Sequence, residues 1–222
     1  MDFYFLYTTY NNSEVTVRIR KVGYRLKKKV SIFAFVTLLV FIIIALNFDI
    51  PSFEAFDMKI RSLLFGNNFI ILFHYLGEIK FVIVATVIIL LYLAIFKKDF
   101  RGVLFVLLTV GVGNGLNQLL KRIFSRPRPE IEDQLTSFSF PSGHAQISVM
   151  FFLTLAYLIS KWLKNKNWKF VTYSVMLVLI FFIGLSRIAE GRHYATDVLA
   201  GWSIGYTWFV LCVLWYESKK HK

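Results

Sequence analysis

Two histidines, an aspartate and a set of basic side chains stand at spacings suited to handling a phosphate. His193 is followed four residues later by Asp197 and preceded by Ser186-Arg187. His144 closes the run Pro141-Ser142-Gly143-His144, and Lys121 opens a stretch holding Arg122, Arg126, Arg128 and Pro129. Residues four apart share a helix face, so Asp197 can hold one ring N–H of His193 and leave the other nitrogen as a nucleophile. His144 can protonate the departing oxygen as general acid, and the two imidazoles then need opposite protonation states, which different neighbours can set. Lys121, Arg128 and Arg187 offer charge and matched donors to the phosphate oxygens. Ser142 can cap a helix while Gly143 lets the backbone approach closely, aiming a positive helix end at an anion.

The elements that must position these groups are apolar. Hydrophobic residues make up 57% of the 222, with 24 Phe, beyond the usual soluble composition. Six apolar runs predict six spans: 30–48, 81–96 (beginning earlier, around His74), 102–120, 145–160, 170–186 and 198–216. Backbone amides in lipid must be satisfied within their own segment, so these are helices. The first run is too long for a signal peptide and lacks small residues after it, so it is read as a retained span. The fold class expected is all-α: a polytopic membrane protein with one six-helix domain at 30–216, a basic tail at 1–29 and a short tail at 217–222. Cys212 is the only cysteine and lies inside the last run, so no disulfide can form within the chain.

Counted by alternating loops, seventeen of the 26 Lys and Arg fall on one side. The positive-inside rule puts that side, and both termini, in the cytoplasm. Six of the remaining nine, Lys121, Arg122, Arg126, Arg128, Arg187 and Arg192, crowd the two outer loops that also hold the histidines. Positive charge where topology disfavours it needs a local reason, and anion binding is the simplest. Between the first two spans, 51–65 places Phe53, Phe56, Ile60, Leu63 and Leu64 on one helical face and Glu54, Asp57, Lys59 and Arg61 largely elsewhere. This is a helix lying in the membrane interface.

The three segments resemble the motifs of the type 2 phosphatidic acid phosphatase family, membrane lipid phosphatases related to bacterial acid phosphatases and vanadium haloperoxidases. Lys121, Arg128 and Pro129 fit Lys, six residues, Arg-Pro; Pro-Ser-Gly-His stands unchanged at 141–144. Ser186, Arg187, His193 and Asp197 fit Ser-Arg, five residues, His, three residues, Asp. The resemblance spans roughly 50–216 and departs at Ala195, where many relatives carry proline. It implies a phosphohistidine on His193 with no metal and no cofactor, and a phosphoryl group held by Lys121, Arg128, Ser142, Gly143, His144 and Arg187. Arg122, Arg126 and Arg192 lie outside the motif and leave two readings open: contacts to a second phosphate, or balance against Glu130, Glu132 and Asp133.

The function expected is therefore a lipid phosphate phosphatase of a plasma membrane with its site at the extracellular face. Undecaprenyl diphosphate, phosphatidylglycerol phosphate and phosphatidic acid are the candidate substrates. A transporter with a basic outer site is the rival, weakened because transporters bind near the bilayer midplane. A nucleic-acid binder would explain the charge but not the histidines, so the partners expected are a lipid substrate and the membrane, with no nucleic acid. Gly111, Gly113 and Gly115 are read as close helix packing, and Asn114, Asn117 and Gln118 as satisfied among themselves or by a neighbouring helix. Glu78 and Lys80 are read as an interfacial pair, Trp162, Trp168, Trp202 and Tyr216 as a belt, and His74 and His221 as incidental.

Overall fold

A computed structural model describes residues 13–131 and 136–218, with side chains from residue 27 onward. Glu132, Asp133, His221 and the outer parts of both tails lie outside the described residues.

All regular elements among the described residues are helical. Helix α1 (Ser13–Asn47) carries the basic stretch into the first apolar run, and α2 (Pro51–Leu64) follows, with Pro51 in its first turn. Two single turns, α3 (Asn68–Ile71) and α4 (His74–Gly77), lead into α5 (Ile79–Leu91). Helix α6 (Phe100–Val106) runs through a π-helical stretch, Leu107–Val112, into α7 (Gly113–Phe124). The last three helices are α8 (Gly143–Trp162), α9 (Lys166–Ala189) and α10 (Ala195–Ser218).

Among the described residues six helical segments are long and apolar enough to cross a membrane: Lys27–Asn47, Ile79–Phe96, Phe100–Phe124, Gly143–Trp162, Lys166–Ala189 and Ala195–Ser218. Five contain their sequence-predicted runs; the first ends at Asn47, one residue short of the predicted 48, and the second departs at its start. The second span does not extend back to His74, because Glu78 is extended (ψ 140°) and breaks the helix between α4 and α5.

Helix α8 is the centre of the bundle, packed mainly against α9 and α10, while α1 lies along α10. Its side chains Met150, Ile147 and Phe151 join Phe105, Val106, Val82, Ile183 and Val210 in the main core. Close approach of α8 and α10 depends on glycine. A Cβ on Gly201 would sit 2.7 Å from the Ser142 carbonyl oxygen, and one on Gly205 would sit 2.9 Å from that of Gln146. Small residues four apart let two backbones meet where a larger side chain would hold them off. This contact brings the start of α8, with Ser142-Gly143-His144, against the start of α10, with Asp197.

Of the three glycines expected to pack helices, Gly113 does so, against Met150 and Trp208. A Cβ on Gly111 or Gly115 would meet nothing within 4 Å. Of the residues expected to form an aromatic belt, Trp162 and Trp168 are exposed. Trp202 instead stacks on Phe181 and lies against Gly184, and Tyr216 is buried beside Phe105.

Candidate active site

Three chain reversals at one end of the bundle gather the chemistry. Helix α7 stops where Ser125 takes a left-handed conformation (φ 47°) and its N–H bonds back to the Lys121 carbonyl at 2.9 Å. The chain then turns inward, burying Arg126 and Arg128. Between α9 and α10, Gly191 holds φ +69°, and a Cβ there would lie 2.8 Å from the Phe65 ring, so both conformation and space call for glycine. This turn presents His193. The third reversal ends at Ser142, whose N–H donates to the Asp197 carbonyl oxygen at 3.0 Å.

His193 and Asp197 are buried, at 4% and 0% exposure. His193 Nδ1 lies 3.4 Å from Asp197 Oδ2, a long approach, and Nε2 lies 3.2 Å from Arg128 Nη1. Arginine can only donate, so Nε2 carries the lone pair and Nδ1 carries the proton that faces the carboxylate. The arrangement thus selects the tautomer a nucleophile needs. Burial, followed by the positive charges of Arg128, Lys121 and Arg187, holds the His193 pKa well below the ordinary 6.5, while a backbone hydrogen bond at Ser139 acts against them. Burial and the neighbouring Arg187 push Arg128 down to about 10, which leaves it cationic at neutral pH.

Lys121 donates to the Phe138 carbonyl oxygen and reaches that of Ser139 at 3.5 Å. Arg128 is tied by Nε to the Ser137 carbonyl at 2.7 Å and by Nη1 to that of Arg192 at 2.7 Å. Arg187 Nη1 donates to Glu190 Oε2 at 2.6 Å, and its buried Nε has no partner among the described residues. Lys121, Arg128, Arg187 and His193 are near enough that each cation depresses the His193 pKa. His144 starts α8 and touches α4, for a Cβ on Gly77 would stand 3.0 Å from its Cδ2.

Ser142 occupies the N-cap position, but its side chain makes no capping bond, contrary to the sequence reading. Its Oγ is buried and unpartnered among the described residues. The first N–H groups of α8 therefore keep their donors for a group other than Ser142. A Cβ on Gly143 would lie 3.2 Å from Asn117 Oδ1, so glycine also lets α7 close on this turn. Asn117 fixes it from below, donating to Gln146 Oε1 at 2.8 Å and to the Pro141 carbonyl at 3.3 Å.

The three arginines outside the motif have different surroundings. Arg122 is exposed on α7, and Arg192 is half-buried. Arg126 departs from the second-phosphate expectation. It is 5% exposed, and its guanidinium is taken up by Asp197 Oδ1 at 2.7 Å, Asp57 Oδ2 at 3.0 Å and Thr196 Oγ at 2.8 Å.

Four residues here were given no site role by the sequence reading. Asp57, expected on the polar side of α2, is 3% exposed and faces inward. Thr196, between His193 and Asp197, joins it. Glu190 holds Arg187. His74 is not incidental: its Nδ1 lies 2.8 Å from Glu190 Oε1 and its Nε2 3.6 Å from Glu78 Oε1, which also gives Glu78 a neighbour other than the expected Lys80. The one available signal was ionisable residues close to the ends of apolar runs.

Comparison with known proteins places this geometry in a family. The chain is 35% identical over 143 residues to phosphatidylglycerophosphatase B of Bacillus subtilis, covering 62% of this chain and 68% of that one. It is 27% identical over 134 residues to undecaprenyl-diphosphatase of Sulfolobus acidocaldarius, covering 57% of this chain and 60% of the relative. It superposes with a TM-score of 0.77, at 28% identity, on the crystal structure of a transmembrane PAP2 type phosphatidylglycerolphosphate phosphatase from Bacillus subtilis, over 85% of this chain and 98% of that one. The PAP2 superfamily profile matches residues 102–221, which carry all three motif segments, and the chain belongs to that superfamily.

Proposed function

We propose that this protein is a multi-pass membrane phosphatase that removes phosphate from a lipid headgroup through a phosphohistidine on His193. The observation that carries this reading is the His193 ring, with Nδ1 toward Asp197 and Nε2 beside Arg128. The names of the relatives supply the substrate class, since they act on phosphatidylglycerophosphate and undecaprenyl diphosphate.

His193 Nε2 attacks phosphorus, the bond from phosphorus to the lipid oxygen breaks, and His144 gives its proton to that oxygen. Water then attacks phosphorus while His144, now neutral, takes the water proton, and the phosphorus–nitrogen bond breaks with its electron pair returning to His193 Nε2. Phosphate leaves and His193 is restored. Lys121, Arg128 and Arg187 offset the charge on the phosphoryl oxygens, joined by Ser142 and the first N–H groups of α8. The reading needs no metal and no cofactor. The six spans form one domain with cytoplasmic termini, and the site opens to the outer face of the plasma membrane, where α2 flanks it. For Arg122 and Arg192 a second phosphate and balance against acidic neighbours both stay open; Arg126 is committed inward.

The test is phosphate release by protein purified in detergent with EDTA present, comparing wild type with His193→Ala. The panel holds undecaprenyl diphosphate, phosphatidylglycerol phosphate and phosphatidic acid. Release that depends on His193 and ignores EDTA supports the mechanism and ranks the substrates. Release that persists in His193→Ala overturns it.

A further inference from the structure

Asp57 belongs to no motif and sits on α2, which is too short to span, yet it is among the most buried charges of the described residues. Both of its oxygens accept from Thr196, and one of them also accepts from Arg126. Oδ1 takes the Thr196 backbone N–H at 2.8 Å, and Oδ2 takes the Thr196 hydroxyl at 2.7 Å and Arg126 Nη2 at 3.0 Å. Every partner is a donor, so the site is built for the carboxylate even though burial pushes its pKa upward. Arg126 Nη1 continues the chain to Asp197 Oδ1 at 2.7 Å, and Asp197 Oδ2 accepts the Tyr194 N–H at 2.9 Å while facing His193. The guanidinium lies 4.0 Å from the Tyr194 ring centre and 4.9 Å from that of Phe48.

We propose that Arg126 and Asp57 are positioning residues for the nucleophile: Arg126, anchored on Asp57, fixes the rotation of the Asp197 carboxylate so that Oδ2 addresses His193 Nδ1. This rests on the phosphohistidine reading above. The planar fork of arginine spans two carboxylates at once, which a lysine ammonium on a flexible stem cannot reproduce. With Oδ1 held by Arg126 and Oδ2 already accepting from Tyr194, Asp197 is kept an anion that orients the imidazole without taking its proton. The contact also joins α2, the loop after α7 and the start of α10 at one buried point, so the interfacial helix becomes part of the support of the catalytic histidine. Turning Arg126 toward a substrate would strand two buried carboxylates, which is why a second-phosphate role does not suit it.

Charge sign separates positioning from general loosening. The charged groups around His193 are Lys121 on α7, Arg126 and Arg128 on the following loop, His144 on α8, Arg187 at the end of α9, Arg192 in the turn, Asp197 on α10 and Asp57 on α2. Removing a cation from this set raises the pKa of His193, and removing an anion lowers it.

The experiment measures kcat, KM and the acid limb of kcat/KM for dioctanoyl phosphatidic acid in detergent with EDTA. Asp57→Asn, Arg126→Lys, Arg126→Met and His193→Ala are compared with wild type, each checked by thermal unfolding. Asp57→Asn sets an amide N–H against the Arg126 and Thr196 donors. It is expected to cut kcat by about tenfold or more with KM little changed, and to move the acid limb to lower pH. Arg126→Met should cut kcat further and move the limb upward. Arg126→Lys should lower kcat with the limb in place, and this variant and Asp57→Asn decide the matter if Arg126→Met does not fold. Folded Asp57→Asn and Arg126→Lys with near wild-type kcat, or acid limbs that move the same way in Asp57→Asn and Arg126→Met, overturn the proposal while loss of activity in His193→Ala leaves the phosphohistidine reading standing. Full activity in His193→Ala overturns both.

Discussion

Arg128 Nη1 stands 3.2 Å from His193 Nε2, so a cation faces the atom that the proposed mechanism needs unprotonated. The same guanidinium that would grip a phosphoryl oxygen keeps the nucleophile neutral beforehand, because an imidazolium beside it is repelled. Burial adds to this, and His193 is held well below its ordinary 6.5.

The pH dependence of catalysis follows. On the phosphohistidine proposal His193 attacks when neutral, so the acid limb it sets on kcat/KM should lie well below 6.5, and histidine NMR should show its ring neutral at pH 6. Arg128→Gln removes the facing cation, so the limb should move upward while kcat/KM falls. An imidazolium signal for His193 at pH 6 in the wild-type protein would contradict this picture.

Stability should carry the same signature. A histidine whose folded pKa is depressed binds fewer protons folded than unfolded as pH drops below 6.5. Its contribution is therefore fully present above 6.5 and is lost as pH falls toward the folded value. Unfolding temperatures in detergent should decline from pH 7.5 to pH 5, and His193→Gln should flatten that slope. Parallel slopes for the two proteins would count against a buried neutral His193.

Leaving-group chemistry tests His144. A diphosphate expels phosphate, which departs more readily than a lipid alkoxide and needs less help from an acid. His144→Asn should therefore lose less activity on undecaprenyl diphosphate than on phosphatidic acid. Equal losses on both would remove the general-acid assignment.

The α8–α10 contact makes a prediction at glycine. A Cβ on Gly201 would lie 2.7 Å from the Ser142 carbonyl oxygen, whereas one on Gly115 would meet nothing within 4 Å. Gly201→Ala should cost about 1–3 kcal/mol and lower activity, since the clash sits beside Ser142 and Asp197. Gly115→Ala should leave both nearly unchanged. The comparison needs only thermal unfolding and phosphate release.

Much of this was legible in the linear chain. Six apolar runs dictate helices because lipid offers the backbone no other partner, and the runs at 145–160 and 198–216 fall inside α8 and α10. Lys121, Arg128, Ser142, His144, Arg187, His193 and Asp197 were picked out as candidates by local spacing, and His193 with Asp197 is an i,i+4 pair that neighbouring positions on one turn suffice to make. What spacing could not show was the employment of the remaining charges. Asp57 reads as one more polar residue on an amphipathic helix, and Arg126 as one more arginine in a basic loop. They meet each other 69 residues apart, and Asp57 meets Thr196 139 residues apart. Likewise His74 and Glu190 come together only because α4 packs under α8 and α9. Pattern along a chain fixes which side chains share a helix face, since that follows from 3.6 residues per turn. Which buried charge neutralises which depends on where the helix ends arrive, and that was decided by packing, above all by the close contact that Gly201 and Gly205 allow between α8 and α10.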